Sequence, residues 1–204
     1  MPSDSDFKGL EIYTATAEDA TDLAAHVNAA YRGETSRAGW TTEADLVSGT
    51  RTTADQLADE MKLPNVRFEV MRDREGKILA SVELVLEDVP ESGESAIGTA
   101  GAEGVDSSHV RGRVCYLGML TVRPTKQGGG LGRRMLEHSE AIARAWGCPK
   151  IRMTVIDRRT ELLAYYERRG YVRTGVEHPF HFDDPRFGVA AVPLKMVELE
   201  KKIR

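Results

Sequence analysis

The chain has 204 residues, 41% of them hydrophobic, enough for one compact domain with a full core, and its formal net charge is -4. That balance argues against a nucleic-acid surface, which ordinarily shows as a basic face, and two cysteines 33 positions apart, Cys115 and Cys148, without a CxxC or a histidine at ligand spacing, argue against a disulfide framework or a metal site. The opening MPSDSDFKGL has no basic and apolar regions of an export signal, and no run approaches the roughly 18 apolar residues of a membrane span, so a soluble cytoplasmic protein is expected.

In chain order, LEIYTA reads as a short strand. Thr16 followed by Asp19 is a capping-box pattern opening a helix with Ala20, Leu23, Ala24, Val27 and Tyr31 on one face. Thr42 to Asp45 repeats the pattern, and Thr53 with Gln56 caps a second helix that stops before Pro64. VRFEVMRD and KILASVELVLE alternate around REG as a hairpin. Residues 90–113, acidic and rich in Gly and Ser, predict a flexible loop insertion between adjacent strands. RVCYLGMLTV then predicts a strand buried on both faces, followed by a glycine-rich loop. Leu131, Met135, Leu136, Ile142, Ala143 and Trp146 predict a helix stopped by Gly147 and Pro149. KIRMTVI, the short helix ELLAYYERRG, and the closing strands YVRTGVE and VPLKMVELEK complete the order βααβββαβαββ. With no internal repeat or linker, residues 1–204 read as a single α/β domain, a mixed sheet flanked by helices with its core over about residues 10–200.

The loop in TVRPTKQGGGLGRRML carries the chemistry. Gly128, Gly129, Gly130 and Gly132 allow backbone conformations and close approaches that a Cβ would block, and the following helix start aims unpaired N–H groups at the loop. Arg133 and Arg134 oppose the helix dipole there, which makes sense if a ligand's phosphates supply the negative charge. No Lys-Ser/Thr follows the glycines, so this is not a nucleoside-triphosphate loop. The stretch VRPTKQGGGLG resembles the acetyl-CoA motif of the GNAT N-acetyltransferase superfamily, with Gln127, Gly130 and Gly132 in the defining places, and LAYYERRGY resembles that family's second signature. The resemblance covers most of the chain. It implies acetyl-CoA as cosubstrate, the backbone of Leu120, Thr121 and Val122 against the pantetheine, and the loop from Gln127 through Leu131 to Arg133 around the pyrophosphate.

In such a reaction an amine attacks a thioester carbonyl, an oxyanion develops and a thiolate departs, so the site must supply donors to oxygen and sulfur and a route for the amine proton. By the resemblance Tyr166 stands where the donor to sulfur lies; its spacing from Leu163 equally fits a core position, and Tyr165 reads as packing. The carboxylate that relatives often carry on the strand before the glycine loop is absent from CYLGML, leaving Glu83, Glu69 or a water chain as the base. Many relatives carry an Asn near the start of the helix that holds Tyr166, where this chain has Arg158, Arg159 and Thr160; Arg159 fits either a grip on a phosphate or acceptor carboxylate, or a solvent-facing helix start. Tyr31 and Trp40 are candidates to wall an acceptor pocket, with Glu34 and Glu43 to attract a cationic amine. His178 and His181 read as loop residues, and no metal is expected. The expected protein is an acetyl-CoA-dependent N-acetyltransferase acting on a primary amine of a small-molecule or amino-acid-like acceptor, a monomer or homodimer. The alternatives are a catalytically silent acyl-CoA-binding module and an enzyme acetylating a protein amine.

Overall fold

A computed structural model describes residues 9–90, 110–181 and 184–203. In chain order the elements are β1 (Glu11–Thr14), α1 (Ala20–Tyr31), β2 (Val47–Ser48), α2 (Ala54–Glu60), β3 (Val66–Arg72), β4 (Ile78–Pro90), β5 (Val110–Val122), α3 (Leu131–Ala145), β6 (Lys150–Ile156), α4 (Thr160–Glu167), β7 (Val172–Pro179), β8 (Val189–Ala190) and β9 (Lys195–Lys202). Seven strands form one mixed sheet in the order β1-β3-β4-β5-β6-β9-β7, in which only β5 and β6 run parallel.

Local chemistry explains most boundaries. Asp19 Oδ2 accepts from the Thr16 N–H at 2.9 Å just before α1, and the α2 box is reciprocal, with Gln56 N–H donating to Thr53 Oγ1 at 3.3 Å and Thr53 N–H to Gln56 Oε1 at 3.1 Å. Three expectations are corrected. The expected order lacked β2 and β8, two-residue strands that pair only with each other and carry too little periodicity to be read. Thr42 to Asp45 caps no helix: Thr42 Oγ1 takes the Ala44 N–H at 3.0 Å in a turn, and Asp45 pairs with Arg37 at 2.7 Å. The loop expected over 90–113 is shorter at both ends, because Pro90 ends β4 and 110–113 begin β5, extending that hairpin to Pro90↔Val110; the remainder, 91–109, lies outside the described residues.

Two apolar layers sandwich the sheet. Leu23, Ala24 and Val27 of α1 and Leu57 of α2 pack on Val66, Phe68 and Val70 of β3. On the opposite face Leu131, Met135, Leu136 and Ala143 of α3 pack on Val82 and Leu84 of β4 and on Cys115 and Leu117 of β5. Alternation along β4 therefore turns Glu83, between Val82 and Leu84, toward the α1 and α2 side.

Candidate active site

The site opens where the sheet stops being a sheet. β5 and β6 are paired only at Cys115↔Ile151 and Tyr116↔Arg152, so β5 from Leu117 to Val122 has β4 on one edge and no strand on the other. A bulge sits at the same place, since β4 residues Ser81 and Glu83 oppose Thr121 and Gly118. Its residue Met119 has φ of +42° and turns toward the α1 layer, whereas strict alternation would put it with Cys115 and Leu117 on the α3 layer. Between the separated strands, α1 and the start of α3 lies a cavity of about 520 Å³. Leu120, Thr121 and Val122 line it. The Thr121 side chain is already bonded to Ser81 Oγ at 2.5 Å, so its free contribution is main chain.

At one end of this cavity stands the glycine loop. Gly130, with φ of +89°, is the residue before α3, and no side chain caps the helix. The N–H groups of Leu131, Gly132 and Arg133 therefore begin the helix toward the cavity without side-chain acceptors. Gly128 has φ of +81° with nothing within 4 Å of where a Cβ would lie, and a Cβ on Gly132 would sit 2.9 Å from the Tyr165 hydroxyl. Orphan donors, a positive helix end and open space for close backbone approach fit a pyrophosphate. Arg133, Arg168 and Arg169 also line this part of the cavity. Gln127 is committed within the protein. Its Nε2 donates to Val122 O at 3.2 Å and its Oε1 accepts from Trp40 N–H at 2.9 Å, tying the loop to the 34–43 segment. Gly129 does not line the cavity and completes the turn from outside.

The two strand carboxylates part company. Glu69 is buried and bonded to His138 Nε2 at 2.6 Å, Thr14 Oγ1 at 2.8 Å and Arg67 Nε at 2.5 Å, away from the cavity. Glu83 faces the cavity. Its space exists because its partner on β5 is Gly118, where a Cβ would overlap the Glu83 carboxylate. Burial, with nearby Glu60 adding to it and Arg51 opposing, raises the Glu83 carboxyl to about 7. From the other side Tyr166 of α4 enters the cavity wall, its ring set edge-on to Tyr165 at 5.4 Å and Tyr171 at 5.8 Å. Burial, and then Tyr31, hold its phenol well above the ordinary value, so it stays a proton-bearing donor.

The acceptor-side residues behave differently from expectation. Glu43 is buried, with Arg159 Nη1 at 2.8 Å and Arg32 Nε at 3.6 Å, so it is a matched charge within the wall. Exposed Glu34 pairs with Arg37 at 3.1 Å. Neither presents the unmatched negative charge expected of a lure for a cationic amine. Arg159 is likewise bonded, to Glu43 and to Thr41 Oγ1 at 3.0 Å, and is buried rather than solvent-facing, although it also lines the cavity and its Nε has no hydrogen-bond partner among the described residues. Trp40 lies half-exposed against Tyr165, centroids 5.5 Å apart, at the rim near the glycine loop. Tyr31 does line the cavity. Arg51 also lines it and belongs to no motif; a lone arginine just before the α2 capping box carries no signal in the sequence.

The model of the acetyltransferase (GNAT) family matches residues 40–171, which hold the glycine loop, Glu83 and Tyr166. The chain belongs to the GNAT family. Among curated proteins this GNAT chain is 35% identical over 101 residues to "Probable glucosamine 6-phosphate N-acetyltransferase 2" of Oryza sativa subsp. japonica, an alignment covering 48% of this chain and 58% of that one. The chain thus spans somewhat over half the length of that relative. Among solved structures it is similar to yncA from Salmonella typhimurium, solved with its cofactor acetyl-CoA (TM-score 0.62, 15% identity, 97% and 95% of the two chains covered). It is also similar to a nourseothricin acetyltransferase (TM-score 0.61, 14% identity, 97% and 100% covered). At these identities the structural likenesses speak for a shared GNAT fold. Among the described residues no helix is long and apolar enough to cross a membrane.

Proposed function

We propose that the chain transfers the acetyl group of acetyl-CoA directly to a primary amine of a small molecule, with Glu83 as base and Tyr166 as donor to sulfur. The observation that carries this reading is that a carboxyl raised to about 7 and a protonated buried phenol line one cavity that begins at an uncapped, glycine-rich helix start. The α3 start and Arg133 would hold the pyrophosphate, and the unpaired edge of β5 at Leu120 to Val122 the pantetheine.

An alkylammonium with a pKa of about 10.4 loses roughly 4.6 kcal/mol when delivered neutral at pH 7, so a local proton acceptor matters. A Glu83 titrating near 7 is about half ionised at neutral pH, which keeps it available while making it a stronger base than an ordinary carboxylate. It takes the amine proton as nitrogen attacks the thioester carbon. Main-chain N–H groups on the open β5 edge face the developing oxyanion. As the C–S bond breaks, the Tyr166 hydroxyl donates a hydrogen bond to sulfur; full transfer from so weak an acid is uphill, and the thiolate takes its proton from solvent.

Thiol release in the presence of saturating acetyl-CoA and a panel of small amines tests the reading. Amine-dependent release with stoichiometric N-acetyl product is the expected result. Tight acetyl-CoA binding without release for any amine or peptide would instead favour a silent binding module, and release with peptides alone a protein acceptor.

A further inference from the structure

Arg51 is placed with care and left with nothing to do. Asn28 of α1 clamps the backbone around it: Asn28 Oδ1 accepts from Arg51 N–H at 2.7 Å and Thr52 N–H at 3.2 Å, and Asn28 Nδ2 donates to Thr52 O at 2.9 Å. Arg32, the residue just past α1, donates to Thr50 O at 3.2 Å. The segment is thereby pinned between α1 and the α2 cap. Its guanidinium lines the cavity, with its carbon 5.5 Å from the centroid of the Tyr31 ring. No hydrogen bond or ion pair to that guanidinium is found among the described residues.

The surrounding carboxylates do not explain it. Glu43 is shared by Arg159 and Arg32, whereas Glu83 and Glu60 feel Arg51 through space without reaching ion-pair distance. The Tyr31 ring is also approached by Arg159, whose guanidinium carbon is 5.8 Å from its centroid, and the Tyr31 hydroxyl likewise has no hydrogen-bond partner among the described residues. Two guanidinium-bearing residues around Glu43 leave the triad of Arg32, Glu43 and Arg159 with a net positive charge. Arg51 adds another, on the α1 and α2 side of the cavity rather than at the α3 start. A permanently charged planar fork of donors held ready in a partly dehydrated pocket matches a carboxylate or phosphate.

We propose that the acceptor carries an anionic group, a carboxylate or a phosphate, which the Arg51 guanidinium and the Tyr31 hydroxyl bind while the acceptor's amine meets Glu83. This rests on the acetyl-transfer reading and names its substrate class. Burial raises the Tyr31 phenol to about 12, so Tyr31 remains a donor to such an anion at neutral pH. The tether through Asn28 fixes the anchor relative to α1, so the distance from anion to amine becomes a selection on acceptor length.

The test compares matched amines differing only in the anion: β-alanine against β-alaninamide for a carboxylate, and 2-aminoethyl phosphate against ethanolamine for a phosphate. The expected result is a kcat/KM for one anionic member at least about tenfold above its neutral counterpart, carried mainly by KM, as a charge-assisted pair supplies. In Arg51→Gln that ratio should fall toward one, and in Arg51→Lys it should be partly kept, with acetyl-CoA affinity reporting an intact fold. The pair that shows the preference tells which anion the site takes. A ratio that survives Arg51→Gln, or no preference in either pair, overturns the proposal. So does an equal shift of the acidic limb for both members, which would make Arg51 only a counter-ion of Glu83 and Glu60. If no amine releases thiol, the transfer reading fails, and calorimetric titration of β-alanine and of 2-aminoethyl phosphate decides the subsite alone. Affinity about tenfold weaker in Arg51→Gln supports it; equal affinity or no binding in the wild-type chain overturns it.

Discussion

At the scale of single residues, Glu83 carries a conflict between stability and chemistry. Its carboxyl titrates near 7 in the fold and near 4.5 when free, so between those values the unfolded chain gives up a proton that the folded chain keeps. Folding is therefore penalised progressively as pH rises from about 4.5 to 7, and constantly above, by at most of order 3 kcal/mol. Glu83→Gln should accordingly raise Tm relative to the parent at pH 8 while matching it at pH 4.5, as thermal melts at the two pH values will show. A variant equally or less stable at pH 8 would mean that the carboxylate is satisfied as an anion. Tyr166 is the complementary case. Its ring packs between two tyrosines, and Tyr166→Phe keeps that packing while deleting the donor. Turnover should drop by about ten- to thousand-fold with acetyl-CoA affinity within a few-fold. Unchanged turnover would return the residue to the core role that its spacing from Leu163 equally suggested.

At the scale of elements, one strand does most of the positioning. The bulge in β5 turns Met119 over, and Gly118 beside it leaves room for the Glu83 carboxylate. In Gly118→Ala the new methyl displaces a side-chain end rather than backbone, so the expected outcome is a Tm within a few degrees of the parent and turnover lowered by about tenfold or more. Parallel loss of both would show that the glycine serves the sheet alone. These elements also mark how far the sequence can be read. The capping boxes at Thr16 and Thr53 and the buried run of β5 were legible because each is a local pattern with a local cause. The Thr42 to Asp45 pattern misled for the same reason: Asp45 found Arg37, a tertiary partner that local spacing does not contain. The pocket's glycine loop stood out by composition and by resemblance. Gly118 and Arg51 did not, because their meaning lies in what faces them across the cavity.

For the whole molecule, buried charge ties the α1 side of the cavity to the α4 side. Glu43 joins Arg32 of the α1 side to Arg159 beside α4, and Thr41 reaches both Arg159 at 3.0 Å and Glu161 at 3.2 Å. Glu43→Gln would leave two buried guanidiniums without their counter-ion, so the expected result is a loss of stability of about 3 kcal/mol in denaturant melts, in place of the selective rise in acceptor KM that an exposed lure would give. A fully stable variant with a raised acceptor KM would restore the lure. The cavity closed by these elements is proposed as a transferase site whose proton acceptor is Glu83, and that assignment stands or falls on the pH dependence of kcat/KM for thiol release in the parent chain and in Glu83→Gln. In the parent the rate should fall as pH drops through about 7. In Glu83→Gln it should be lower by about a hundredfold or more, with that limb gone. A limb near 7 that persists undiminished in Glu83→Gln would contradict the assignment.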